Sequence, residues 1–224
     1  MNTYKDMEHI LKFLKAIAKN NNREWFEKNK PAYLEAKESF DDFLEGLHKD
    51  MLKFDESLAG MNPRKAAFRI YRDVRFSKDK SPYKVNMGAG LSEHGKMEQE
   101  PGYYLHIEPN DKSFVAGGLY MPSPENLAKI RQEIDYNAAA LLKILNNKKF
   151  KSYYKGIDEW DKLKTMPKGY AKDHPHIDLL KNKSFTVSHP LKDSDVTNKN
   201  FRKKVIDAFK EIKVLNDYLR GAIS

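Results

Sequence analysis

Residues 102–120 read GYYLHIEPNDKSFVAGGLY. Gly102–Glu108 alternates, with Tyr104, His106 and Glu108 on one face and Tyr103, Leu105 and Ile107 on the other. Pro109-Asn110-Asp111-Lys112 is a run of turn formers, and Ser113–Tyr120 is strand-like again. So short a connection implies an antiparallel hairpin. Upstream, Val85–Leu91 reads as another strand, with glycines at 88 and 90, and Ala67–Phe76 alternates like a strand rich in β-branched and aromatic residues. Downstream, Ser184–Ser188 is a further short strand.

Helical patterns flank this centre. Met7, Ile10, Leu11, Leu14 and Ile17 recur at helical spacing over 6–19. Asn21 or Asn22 starts a short helix, and Pro31 suits the first turn of a long one over 31–53. Ser123-Pro124 opens a helix to about Asp135, and a second helical stretch follows to Leu145. Asp173 caps a short helix through Leu180, and the last helix covers 197–220, with Gly221 at its exit. Residues 148–172 show no period. Helices, then strands, then helices predict a single α+β domain: a mainly antiparallel sheet flanked by N-terminal and C-terminal helices. It would be helical over 1–60, strand-rich over 61–121, and mixed but mostly helical over 122–224.

Composition narrows the function. The 224 residues carry 41 basic and 32 acidic side chains, a net charge of +9. No apolar run approaches the roughly 20 residues that span a bilayer, and the N-terminal stretch has no signal-peptide pattern. A cytoplasmic protein with no membrane partner is expected. Without cysteine there is no disulfide, thiol nucleophile or cysteine-held zinc. The charge is uneven: residues 61–84 hold eight basic and two acidic side chains, four of them arginines.

In the alternating reading of Ala67–Phe76, Arg69, Tyr71, Asp73 and Arg75 share one face. Phe68, Ile70, Val74 and Phe76 share a core face, with Arg72 among them. Arginine presents a planar fork of donors that fits phosphate or carboxylate oxygens. The leading expectation is therefore a small phosphorylated or otherwise anionic ligand, bound and turned over or simply bound. Arg69, Arg72 and Arg75 would hold it, with Lys80, Lys84, Tyr71 and Tyr104 assisting. His106 is the candidate general acid or base. Arg23, Glu24 and Asp73 are supporting residues. Two alternatives stand beside this. Arginines interleaved with tyrosines suit nucleic acid, although acidic segments at 41–60 and 93–111 interrupt the basic surface. In the other, Asp73 and the acids at 93–108 pair with the arginines internally, in an interaction or scaffold protein.

Other motifs yield less. Asp173-His174-Pro175-His176-Ile177-Asp178 is rich in ligand atoms but matches no ordered zinc motif, so no metal site is assigned. Gly88-Ala89-Gly90 and Gly117-Gly118 form neither a phosphate-binding loop nor a dinucleotide fingerprint, and no cofactor is expected. Glycine in a strand marks a bulge or a close backbone approach.

FLKAIAKNNNREWFEKNKPAY (13–33) together with RDVRFSKDKSPYK (72–84) resembles domain of unknown function family 2461. GYYLHIEP (102–109), GGLYMPSPENLAKIR (117–131) and PKGYAKDHPHIDLLKNKSF (167–185) extend the resemblance over nearly the whole chain. Val85 departs from the family pattern, which has threonine there. The resemblance implies one domain and supplies no substrate and no catalytic residue.

Overall fold

The computed structural model describes residues 3–96 and 99–224. The first two residues of the N-terminal stretch, and residues 97–98 within the acidic 93–111 segment, lie outside the described residues. The fold is α+β, with a four-stranded antiparallel sheet. Its strands are β1 (Met87–Leu91), β2 (Gly102–Ile107), β3 (Ser113–Leu119) and β4 (Phe185–Leu191), in the order β1-β2-β3-β4. Among the described residues no helix is long and apolar enough to cross a membrane.

The chain forms two compact units. The first comprises Met1–Lys96, Tyr104–Val115 and Pro190–Ile206. It contains α1 (Thr3–Lys19), α2 (Arg23–Lys28), α3 (Lys30–Met51), a 3₁₀ turn at Glu56–Leu58 and α4 (Pro63–Ala66). Helix α1 packs along α3, and Ile10, Leu14, Ile17, Leu44 and Leu47 are fully buried. Asn22 caps α2, its side-chain oxygen accepting from Trp25 N–H at 2.9 Å. Phe26 stacks on Tyr83, ring centres 4.0 Å apart.

The second unit comprises Met97–Tyr103, Ala116–His189 and Asp207–Ser224. Helix α5 (Pro124–Asn146) is capped by Ser123 and kinked at non-helical Asn137. The kink falls where the sequence pattern divides into two helical stretches. Helices α6 (Lys148–Tyr153), α7 (Ile177–Leu180), α8 (Asp193–Val196) and α9 (Phe201–Ile223) complete the chain, α8 belonging to the first unit. Gly118 has φ +112°, and a Cβ there would lie 2.0 Å from the Phe185 carbonyl oxygen. Only glycine fits that left-handed backbone.

Several boundaries differ from expectation. The short helix expected from Asp173 begins at Ile177 with His176 at its cap. The last helix runs through Gly221 to Ile223. Residues 148–172 hold α6, capped by Asn147, followed by irregular chain.

The largest correction concerns Ala67–Phe76. It is not a strand. It makes two isolated antiparallel bridges, Ala67 to Ala89 and Tyr71 to Tyr83, and then leaves the sheet. Its apolar face is not core either: Ile70 is buried, but Phe68 and Phe76 are 38% and 96% exposed. The cause lies in the following loop. Asp73 accepts from the Arg75 backbone N–H and Asp79 from that of Ser81, local bonds that compete with a ladder. Between the two bridges, residues 68–70 face residues 84–88, so the second segment bulges. Tyr83 is held on its other side by Asn21, whose amide donates to the Tyr83 carbonyl at 2.9 Å and accepts from its N–H at 3.1 Å.

Candidate functional site

The hairpin presents its polar face as expected. Tyr103, Leu105 and Ile107 are fully buried, while Tyr104 and His106 are partly exposed on the opposite side. Phe114 of β3 stacks on the His106 ring, centres 4.6 Å apart and planes 17° from parallel.

His106 joins a row of hydrogen bonds. Its Nε2 lies 2.9 Å from Glu108 Oε2. A carboxylate only accepts, so Nε2 carries the proton and Nδ1 presents its lone pair. The Tyr104 hydroxyl, at 3.1 Å, and Asn86 Nδ2, at 3.2 Å, aim at that lone pair. The Ser113 hydroxyl accepts from the Glu108 backbone N–H at 3.0 Å, fixing the end of the row. Burial pushes the His106 pKa down, Glu108 opposes this, and Lys84 adds to it; the net direction is down. The imidazole is therefore neutral at neutral pH, with a proton to give at one nitrogen and room for one at the other.

Glycines make room for this arrangement. A Cβ on Gly88 would lie 2.5 Å from the Tyr104 hydroxyl oxygen. One on Gly90 would lie 3.0 Å from the Lys96 backbone carbon. Lys96 has a left-handed backbone, φ 55°, and its N–H donates to the Gly90 carbonyl at 3.2 Å. The glycines of β1 thus let Tyr104 and the loop bearing Lys96 lie close against the strand.

Beside the row stands a group of cations. Lys84 Nζ is 5.6 Å and Lys96 Nζ 5.9 Å from the centre of the Phe68 ring, which is itself 6.2 Å from the Tyr104 ring. Burial, then Arg69, then Lys96 lower the Lys84 pKa. Among the described residues, Arg69, Lys84 and Lys96 have no carboxylate at ion-pair distance. Lysines elsewhere commonly do, as in Lys15–Asp193, Lys53–Asp50 and Lys204–Asp195 at 2.7–2.9 Å.

The expected site residues therefore separate. Arg69, Lys84, Tyr104 and His106 come together. Arg72, Arg75 and Lys80 belong to the loop that leaves the sheet. Arg72 pairs with Asp79 and donates to the Ser81 carbonyl at 3.2 Å. Ser81 first, then Arg72, hold the Asp79 carboxyl at about 2. Arg75 binds Asp73 through Nε and Nη2, at 3.0 and 2.7 Å. Lys80 donates to the Val74 carbonyl at 3.0 Å. Tyr71 packs edge-on against Phe26 at 6.1 Å. Glu24 pairs with Lys28 at 2.8 Å, and Arg23 begins α2. Asn86, Phe68, Phe114 and Lys96 join the site although the sequence did not single them out. Alternation along Gly102–Glu108 already placed Glu108 with His106, but the bulge that turns Lys84 and Asn86 toward them has no sequence signature.

A family model described as a conserved hypothetical protein, DUF2461, matches residues 9–218. No curated protein and no solved structure matches the chain.

Proposed function

The chain belongs to the DUF2461 family of conserved hypothetical proteins, and from the geometry of its site we propose that it binds a small phosphorylated or otherwise anionic ligand. One observation carries the proposal: Lys84 and Lys96 meet at the Phe68 ring, 6.2 Å from Tyr104 of the Tyr104–His106–Glu108 row, Arg69 adds its charge to theirs, and among the described residues none of the three has a carboxylate partner. Like charges gathered this way repel, and a bound anion relieves that repulsion. Arginine supplies the directional fork and the two lysines add charge. The row beside them exchanges a proton with the ligand through the Tyr104 hydroxyl, with His106 as the neutral base behind it.

The test is thermal unfolding with phosphate, nucleotides, sugar phosphates and dicarboxylates. A ligand at about 100 times its Kd stabilises by about 2.7 kcal/mol, a rise of roughly 5–10 °C for a chain of this size. The rise should be lost in Arg69→Ala and kept in Arg75→Ala, because Arg75 is already paired with Asp73. No rise with any anion, or equal loss in both variants, refutes the assignment.

A second reading has its own support. Phe76 is 96% exposed, with the Arg75 guanidinium 5.8 Å from its ring centre and Lys78 and Lys80 nearby in sequence. An exposed aromatic among cations is a platform for stacking a nucleic-acid base. A single-stranded oligonucleotide whose affinity falls steeply with salt and with Phe76→Ala would support it; salt-insensitive or absent binding would end it.

A further inference from the structure

We infer that Lys84 is a nucleophilic amine that condenses with the carbonyl group of an anionic carbonyl compound, such as a 2-oxo acid or a phosphorylated aldehyde or ketone, held by Arg69 and Lys96. The inference rests on the anion site proposed above and goes beyond it by naming the chemical class of the ligand and the bond it forms.

The environment of Lys84 carries the argument. Its backbone N–H donates to the Ile70 carbonyl at 2.7 Å, and its side chain is half-buried, with Nζ against the Phe68 ring. Lys96 shares that ring, Arg69 is a second cation near enough to act on the Lys84 charge, and no described carboxylate pairs with Lys84. An ordinary surface lysine keeps its proton because water or a carboxylate stabilises the ammonium. Here burial and two neighbouring cations all disfavour the charged form. A desolvated lysine next to other cations is how an amine becomes a nucleophile at neutral pH. The neighbouring cations serve twice, since the same positive field that favours the free amine attracts an anionic substrate.

The chemistry balances. The Nζ lone pair attacks the carbonyl carbon, the C–N bond forms, and the carbonyl π pair moves to oxygen, which takes a proton. That oxygen then leaves as water while the nitrogen lone pair forms the C=N bond. The two protons lost from Nζ equal the two gained by the departing oxygen. The His106 Nδ1 lone pair, reached through the Tyr104 hydroxyl, is the base for a proton that Nζ loses, and the departing oxygen takes its protons from solvent.

The experiment uses the purified full chain, pyruvate at neutral pH and sodium cyanoborohydride, which delivers hydride to the imine carbon and traps it as a stable secondary amine. Peptide mass mapping then gives the labelling rate at each lysine. Lys84 should label at least roughly tenfold faster than the median lysine, the gain expected for each tenfold rise in free amine. Acetone, with the same carbonyl and no charge, should share only the part of this preference that free amine supplies, so the preference should be distinctly larger with pyruvate. The Lys84 adduct should vanish in Lys84→Arg, with the other lysines unchanged, and slow in Arg69→Ala. Labelling of Lys84 no faster than the median lysine overturns the inference. Equal preference with acetone overturns the role of Arg69 and Lys96. Oxalate, an anion without a reactive carbonyl, separates the two proposals by thermal unfolding. Stabilisation by oxalate without fast labelling of Lys84 ends the amine chemistry and leaves the anion site standing. If neither is seen, both fall.

Discussion

Gly88→Ala probes whether the glycine in β1 exists to seat the Tyr104 hydroxyl. The new Cβ would stand 2.5 Å from that oxygen and 3.1 Å from the ring carbon bearing it. Ordinary contact begins near 3.5 Å, so the ring must withdraw by about 1 Å. The hydroxyl is 3.1 Å from His106 Nδ1, and a further 1 Å takes it outside hydrogen-bonding range. Overpacking costs about 1–3 kcal/mol and the lost bond about 0.5–1.5 kcal/mol. The lower backbone entropy of alanine in a strand returns about 0.5–1 kcal/mol. The net loss is about 1–3.5 kcal/mol, a fall in melting temperature of roughly 2–14 °C. Thermal unfolding of a double-mutant cycle isolates the cause. In a Tyr104→Phe background the clashing oxygen is gone, so Gly88→Ala should cost at least about 1 kcal/mol less than in the parent. An equal cost in both backgrounds, within about 0.5 kcal/mol, would refute the reasoning and make Gly88 an ordinary strand glycine.

Gly118→Ala should be far more damaging, because its φ of +112° and its 2.0 Å approach to the Phe185 carbonyl are backbone constraints with no side chain to yield; a loss of about 4 kcal/mol or more would appear as a collapse in circular-dichroism melting temperature. Asp193 accepts from the Asn110 and Asp111 N–H groups at 3.2 and 3.1 Å and pairs with Lys15 at 2.9 Å. Burial alone would raise its pKa, but these partners outweigh it and the folded value is lowered. Its stabilisation is therefore present above the ordinary carboxylate range and is lost as pH falls through the lowered folded value. Asp193→Asn should cost about 1–2 kcal/mol at pH 7 and converge with the parent in strong acid, as followed by urea unfolding. Asp158 behaves oppositely: burial raises its pKa against the Ser188 and Thr186 hydroxyls, so its contribution favours the fold below the ordinary range and is lost as pH rises through the raised folded value. Asp158→Asn, which keeps acceptor and donor atoms for both hydroxyls, should melt at or above the parent temperature at pH 7, whereas Asp158→Ala should melt lower.

What the sequence reveals depends on how locally each element is determined. The helices are legible because an apolar stripe, the Asn22 and Ser123 caps, and Pro31 and Pro124 all act within one or two turns. The hairpin is legible for the same reason, and with it the shared face of Tyr104, His106 and Glu108. Ala67–Phe76 has the composition of a strand, but its fate is set by Asp73 and Asp79, whose side chains turn the chain back on itself after two bridges. That departure draws Arg72 and Arg75 into local ion pairs and leaves Arg69 with Lys84. Residues after α6 have no period because they are placed from far away: Tyr154 donates to the Ala208 carbonyl at 2.9 Å and Leu163 N–H to the Lys181 carbonyl at 2.8 Å. Lys96 reaches the Phe68 ring only through a left-handed turn over Gly90, a relation no spacing rule encodes.

The Asn21–Tyr83 pairing also closes a backbone edge. The bonds that flank the Tyr71–Tyr83 bridge use Pro82 and Lys84, so the N–H and C=O of Tyr83 point the other way. Unclaimed, they would be one rung of a ladder awaiting an incoming chain. A single primary amide carries a donor and an acceptor at the spacing of a peptide group, so Asn21 imitates the missing neighbour and cannot be extended into a second rung. The turn between α1 and α2 thereby works as a stopper, closing by side-chain mimicry a position that a full strand would otherwise have to cover.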